Sequence, residues 1–189
     1  MSCALTTGRT NPCNDNVGGV KRVYLFKYED YANTSILGLK GSTLTSFPAT
    51  DIYSYECVNA NFNEDIINDE NGISVDQTLT FTLRKQNLLT TQRIEPITNI
   101  DVRYIVEFNN GKFRIGGLFK GANIQELKLV SGGRKEDLNG YQITIKSTEE
   151  YQAAFIDNLS SAGFTVIYWL LLEDFTELLL ENNDQLILE

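Results

Sequence analysis

The sequence predicts a mainly β protein: an antiparallel β-sandwich or partly closed barrel with one short flanking helix, long loops and an extended N-terminal arm. Three observations carry this expectation. The aromatic residues are 9 Tyr and 10 Phe against one Trp, set among plentiful Thr, Val and Ile, a mixture that suits a pleated, half-buried surface. Strict alternation runs through Gln77 to Lys85, where Leu79, Phe81 and Leu83 face one way and the threonines the other. Two further alternating runs, Val102 to Phe108 and Lys112 to Leu118, flank Asn109-Asn110-Gly111, the composition of a tight hairpin turn.

Taken in order, residues 1–19 are rich in Gly, Asn, Thr and Ser and read as an arm with little to bury. A β domain is expected over 20–173. It opens on the β-branched and aromatic run Val20 to Lys27 and continues as a meander through Ser35 to Leu39, Thr43 to Phe47 and Ile52 to Asn59. Asn61 to Gly72, acidic and ending in Asn-Gly, reads as a solvated loop. Asn87 to Ile97 carries Leu88, Leu89, Ile94 and Ile97 at helical spacings, with Pro96 limiting the helix. Strands fit Glu126 to Ser131 and Tyr141 to Ser147, Thr148 to Asp157 reads as a loop or single helical turn, and Phe164 to Leu172 as a buried strand.

The end of the chain, 174–189, predicts a β-hairpin that serves assembly. Leu178, Leu179 and Leu180 face Leu186, Ile187 and Leu188 around Asn182-Asn183-Asp184. A lone two-stranded hairpin is marginal in water. Six large aliphatics left exposed forgo roughly 1.5–3 kcal/mol each, so some other surface has to take them.

Composition narrows the function classes. With 42% hydrophobic and 22% charged residues the chain is expected to fold, and its longest apolar run is far short of the ~20 residues of a spanning helix, so no membrane partner is expected. The formal net charge of −9 opposes the phosphate contacts that dominate nucleic-acid affinity, so DNA binding at physiological salt is expected to be weak. The absence of histidine removes the commonest general base, the usual zinc nitrogen ligand and every Ser-His or Cys-His nucleophile. Cys3, Cys13 and Cys57 include no CxxC pair and read as free thiols, with a Cys3–Cys13 bridge left open. No apolar leader precedes Cys3, and synthesis in the cytoplasm is expected.

Chemistry-bearing motifs fail one by one. Gly38-Leu39-Lys40-Gly41-Ser42-Thr43 has its lysine before the second glycine, the wrong order for a phosphate loop. The acidic stretch before Gly72 has Ile67 where a calcium loop needs Asp. Paired carboxylates at Glu64-Asp65, Asp69-Glu70 and Glu149-Glu150 read as charged loop tips and strand ends on the surface. No cofactor, no metal and no catalytic residue is expected, and the protein is expected not to be an enzyme.

Three stretches carry a resemblance: Cys3-x-Leu5-Thr6-x-Gly8-Arg9 with Cys13 and Gly18-Gly19 leading into Val20 to Tyr24; Gln77 to Phe81 followed by Asn110-Gly111-Lys112-Phe113-x-x-Gly116-Gly117; and Leu138 to Ile145 before Glu149-Glu150. In these the chain resembles the tail-tube-like or neck virion structural proteins of tailed phages that infect Bacteroidetes. The resemblance implies a β-sandwich with a flanking helix whose copies join inner sheets into one barrel. It further implies a homo-oligomeric ring, six copies being one option, that contacts other tail or neck proteins and conducts DNA as non-specific cargo within the virion. A neck or tail-completion ring has a similar build. A reading from another class also stands beside it: a β-sandwich module that binds carbohydrate or a host surface through exposed tyrosines.

Overall fold

A computed structural model of the chain describes residues 18–29, 38–40, 42–70, 72–134, 137–171 and 177–180. Within them run β1 (Val20–Lys27), β2 (Gly38–Lys40), β3 (Thr43–Ser46), β4 (Thr50–Glu56), β5 (Asn59–Asp69), β6 (Gly72–Arg84), α1 (Leu88–Ile97), β7 (Val102–Phe108), β8 (Phe113–Gly116), β9 (Asn123–Ser131), β10 (Asn139–Glu149), β11 (Ala154–Ile156), β12 (Phe164–Leu171) and β13 (Glu177–Leu180). The fold is mainly β, with one short helix, as the composition and alternation predict. Apart from Gly18 and Gly19, the expected arm at 1–19 lies outside the described residues.

The strands form a nine-stranded sheet, β13-β12-β4-β1-β7-β8-β11-β3-β2, and a four-stranded sheet, β5-β6-β10-β9. Connectivity forces the larger one to curl. In its order five inter-strand gaps separate β4 from β3, about 24 Å if the sheet were flat, yet only Phe47, Pro48 and Ala49 join the two strands, a reach of about 14 Å. The curl is pinned where Phe47 N donates to Ala162 O (2.7 Å) and Thr50 N to Gly163 O (3.1 Å). Tyr24, Phe26, Leu44, Ile52, Ile105, Ile115 and Phe164 fill the hollow. Phe47 stacks on Phe164 there, with ring centroids 4.9 Å apart.

The four-stranded sheet packs on the convex side of that curl. Its Leu79, Phe81, Leu83, Tyr141, Ile143 and Ile145 meet Val23, Leu25, Val102, Tyr104 and Val106 in a second core. Strands β1 and β7 are therefore sandwiched between two cores, and their side chains are buried on both faces. This is why Val23-Tyr24-Leu25-Phe26 and Tyr104-Ile105-Val106 are continuous apolar runs, while β6, with one wet face, alternates. Helix α1 is capped by Asn87, whose Oδ1 accepts from Thr90 N at 2.6 Å. It buries Ile94 and reaches β10 through a 2.6 Å hydrogen bond between the Thr91 and Tyr141 hydroxyls. Pro96 sits in its last turn, where it cannot donate to the carbonyl of Gln92, and the helix ends one residue later at Ile97.

Three expectations need correction. Asn61 to Gly72 is no loop: β5 runs from Asn59 to Asp69 and pairs with β6 along its whole length, from Asn59↔Thr82 to Asp69↔Gly72. Asn and Asp are poor strand formers, but here they occupy the solvent face while Ala60, Phe62 and Glu64 face inward. Thr148 to Asp157 contains the end of β10 and all of β11. The expected meander is interrupted too, because β3 pairs in parallel with β11 and β4 in parallel with β12, instead of with one another.

Candidate assembly surface

The four-stranded sheet presents two long edges. Strand β5 has 11 residues and β9 has nine, and neither has a further strand beside it among the described residues. Such edges are rows of backbone donors and acceptors open to pairing with another chain. All three pairings inside this sheet are antiparallel, so β5 and β9 point in opposite directions.

The face of this sheet turned away from the core is polar. Register and alternation place on it Asn59, Asn61, Asn63 and Asp65 of β5, Asp76, Thr78, Thr80, Thr82 and Arg84 of β6, Gln142, Thr144, Lys146 and Thr148 of β10, and Glu126 and Lys128 of β9. Its charges balance: Asp65, Asp76 and Glu126 against Arg84, Lys128 and Lys146. The Lys128–Glu126 pair is made at 2.6 Å, and Thr148 donates to Asp76 at 2.8 Å. No aromatic side chain lies on this face among the described residues. The net charge of −9 therefore resides elsewhere on the molecule.

Beyond Val75, which pairs with the last residue of β10, Glu149, strands β5 and β6 continue as a two-stranded ribbon with no third strand among the described residues. Ile66, Ile67 and Ile73 on this ribbon are 57%, 43% and 61% exposed, an unusual concentration of β-branched apolar surface on a marginal element. Under the ribbon lies a groove of about 670 Å³, bounded by Ile66, Ile73, Val75, Leu118, Phe119 and Tyr151. Phe119 and Tyr151 meet edge to face there, with ring centroids 5.9 Å apart.

A buried polar layer holds the base of the ribbon. Glu64, on the inward face of β5, pairs with Arg114 of β8 and accepts from Ala153 N at 2.6 Å. Gln77, buried on β6, accepts from Gly117 N and from the Ser147 hydroxyl, both at 3.1 Å. Glu149 accepts the backbone N–H groups of Phe119 and Lys120, each at 3.0 Å, and so fixes the loop that forms one wall of the groove. Glu149, expected on the surface, is instead buried and Glu64 is half-buried, while Asp65 and Glu150 are exposed. A carboxylate buried in this way is recognisable only from its partners, and these are 13 to 89 residues distant in sequence.

Burial raises the Glu149 pKa above the ordinary carboxylate value of 4.5, against the lowering effect of the two backbone donors and of nearby Lys120 and Arg103. A carboxyl that holds its proton more tightly when folded adds stability that is full below the unfolded pKa, and this is lost as pH rises through the higher folded value. Glu149→Gln keeps the Oε1 acceptor and removes the titration. The variant is expected to gain stability relative to wild type as pH is raised from 4 to 7 in thermal melts, and equal pH profiles for the two proteins would refute the assignment.

Of the residues expected to assemble, Leu178, Leu179 and Leu180 fall in β13, whose backbone pairs with β12 from Tyr168↔Leu180 to Leu171↔Glu177. Leu186, Ile187 and Leu188 lie outside the described residues, as do Cys3 and Cys13. Cys57 is a free thiol whose pKa burial pushes up to about 12, so it is a weak nucleophile. No helix among the described residues is long and apolar enough to cross a membrane. Comparison with protein-family models, with characterised proteins and with solved structures gives no match.

Proposed function

We propose that this chain is a non-enzymatic structural subunit whose copies add edge to edge, β9 of one against β5 of the next, to form a ring. In the context of its resemblance to tailed-phage proteins this is a tail-tube or neck subunit of the virion, conducting DNA through its lumen. The observation that carries the reading is the opposed direction of the two free edges. Copies related by rotation about an axis along the strands keep their strand directions, so β9 meets β5 antiparallel at every junction and the sheet continues without a break. The contact is heterologous and closes when the rotation divides a full turn.

The balanced polar face supports the same reading, because in such a ring it lines the lumen. A wall of Asn, Thr and Gln with equal positive and negative charges offers a passing polyanion no net counterion release, so the cargo slides instead of sticking. The groove beside Tyr151 and Phe119 is the feature that keeps a carbohydrate-binding module as the competing reading.

The test is Leu129→Lys. Leu129 faces the core side of the edge strand β9 yet is 58% exposed, so lysine there is expected to leave the melting temperature within about 2 °C while setting an inward-pointing charge on the edge. Sedimentation velocity and negative-stain microscopy are expected to show rings for the wild type and monomers for the variant. A wild type that stays monomeric and binds an oligosaccharide through Tyr151 would establish the competing reading.

A further inference from the structure

Two Asn-Gly steps have both residues described, Asn110-Gly111 and Asn139-Gly140. An asparagine followed by glycine is open to attack on its own side chain, because no Cβ on the next residue shields the backbone nitrogen from the amide carbon. At Asn139-Gly140 the fold blocks this. Gly140 is buried in β10 between β6 and β9, and the backbone around it is packed so closely that a Cβ would stand 2.0 Å from Leu83 O. At Asn110-Gly111, the tip of the β7–β8 hairpin, both residues are exposed, and a Cβ on Gly111 would meet nothing within 4 Å. The local bonding prepares Asn110 further. Its Oδ1 accepts from Lys112 N at 3.1 Å, which folds the side chain back over the Gly111 amide and polarises the carbonyl carbon. One restraint remains: Gly111 N donates to Phe108 O at 2.9 Å, in a turn where Gly111 has φ +76°. A turn bond exposed to water opens at little cost, and opening this one leaves the pairing of β7 with β8, from Tyr104↔Gly116 to Glu107↔Phe113, intact.

We infer that Asn110 is a site of spontaneous deamidation, selected by the fold over Asn139. Hydroxide takes the proton of the Gly111 amide nitrogen, which then bonds to Cγ of Asn110 and expels ammonia, with a proton returned by water, to close a five-membered succinimide. Water opens this ring at Cγ to leave an aspartyl residue, or at the backbone carbonyl to leave an isoaspartyl one, whose main chain runs through the side chain and is one atom longer. Either product adds a negative charge, and the second also lengthens the turn. The consequence lies in what the tip holds. Asn109 N donates to Gly19 O at 3.1 Å and Asn109 Nδ2 to Gly18 O at 2.9 Å, which fixes the entry to β1. A longer turn carries Asn109 away from these two carbonyls, and the modified chain loosens at the start of a strand whose middle is a core element. The reaction takes place within one copy and is independent of assembly.

The full chain is incubated at mildly alkaline pH, native or in urea, and conversion at each asparagine is followed by peptide mass mapping, with isoaspartyl product counted by the methyltransferase specific for it. In the native chain Asn110 is expected to convert at least about tenfold faster than Asn139, and in urea the two rates are expected to fall within about threefold of each other, because the fold is what separates them. Asn110 left intact over an interval in which the urea-unfolded chain converts overturns the inference. So does a preference that persists undiminished in urea, since its cause would then lie in the neighbouring residues. Aged native protein is expected to melt lower than fresh protein. Asn110→Gln, whose longer side chain has to close a six-membered ring, is expected to lose little on the same ageing. Equal losses in the two proteins, or a wild type that converts at Asn110 without melting lower, would overturn the assigned consequence at Gly18 and Gly19.

Discussion

Arg114→Ala is expected to lower unfolding stability by about 3 kcal/mol, the low end of the cost of removing one partner of a buried ion pair, because a fifth of the Arg114 side chain stays exposed. Its partner Glu64 has a side chain only 9% exposed, and alanine would leave that carboxylate facing Tyr104 and Gln77 with no cation. For a chain of this size each kcal/mol moves the melting temperature by about 2–4 °C, so a fall of about 10 °C is the central expectation. Arg114 also lies over the Phe155 ring at 4.6 Å, and part of the loss is packing. Combining Arg114→Met with Glu64→Gln removes the stranded charge and is expected to recover more than half of the loss in urea titrations. If the single variant loses less than 1 kcal/mol, the pair is screened by solvent and does not hold the ribbon.

How legible each part of the fold was depended on how local its cause is. Val20–Lys27 and the hairpin of β7 and β8 were read correctly because alternation or a continuous apolar run is a property of the segment itself. Helix α1 was read within Asn87 to Ile97 because the spacing of Leu88, Leu89, Ile94 and Ile97 and the limit set by Pro96 all lie within the same eleven residues. Strand β5 was misread because its outward residues, Asn61, Asn63 and Asp65, have turn chemistry, and only pairing with β6 overrides that preference. The parallel pairings of β3 with β11 and of β4 with β12 join residues more than 100 positions apart and leave no local signature.

The candidate surface was legible only in part, for the same reason. Sequence reading placed the assembly element at Leu178 to Leu188 because apolar residues near a chain end are conspicuous. The ribbon isoleucines Ile66, Ile67 and Ile73 were passed over because acidic neighbours made them look like part of a loop. Alternation of Ile66 with Phe62 and Glu64 at even positions was the signal that pointed to a strand. The balance of charge on the polar face was not readable without the register, since Asp65, Asp76, Arg84, Glu126, Lys128 and Lys146 come from four strands.

Gly116→Ala is expected to cost about 3 kcal/mol, the upper part of the range for overpacking a tight core. Gly116 on β8 is the cross-strand partner of Tyr104 on β7, and the ring of Tyr104 lies directly over it. A β-carbon at Gly116 would stand 2.2 Å from Cζ of that ring, a separation no real contact shows. The ring has little freedom to retreat, because Tyr104 is fully buried and packs edge-on against Phe62 at 6.1 Å. Either β8 moves away from β7 or Tyr104 leaves its rotamer, and the first choice also pulls Gly117 N off Gln77 and loosens the loop that walls the groove. Shrinking the obstacle separates these outcomes. Tyr104→Leu alone leaves a cavity and is expected to destabilise, but in combination with Gly116→Ala its cost should fall well short of the sum of the two single changes. Additive losses in that double-mutant cycle, measured by urea denaturation, would show that the glycine is required by the backbone of β8 and not by the tyrosine above it.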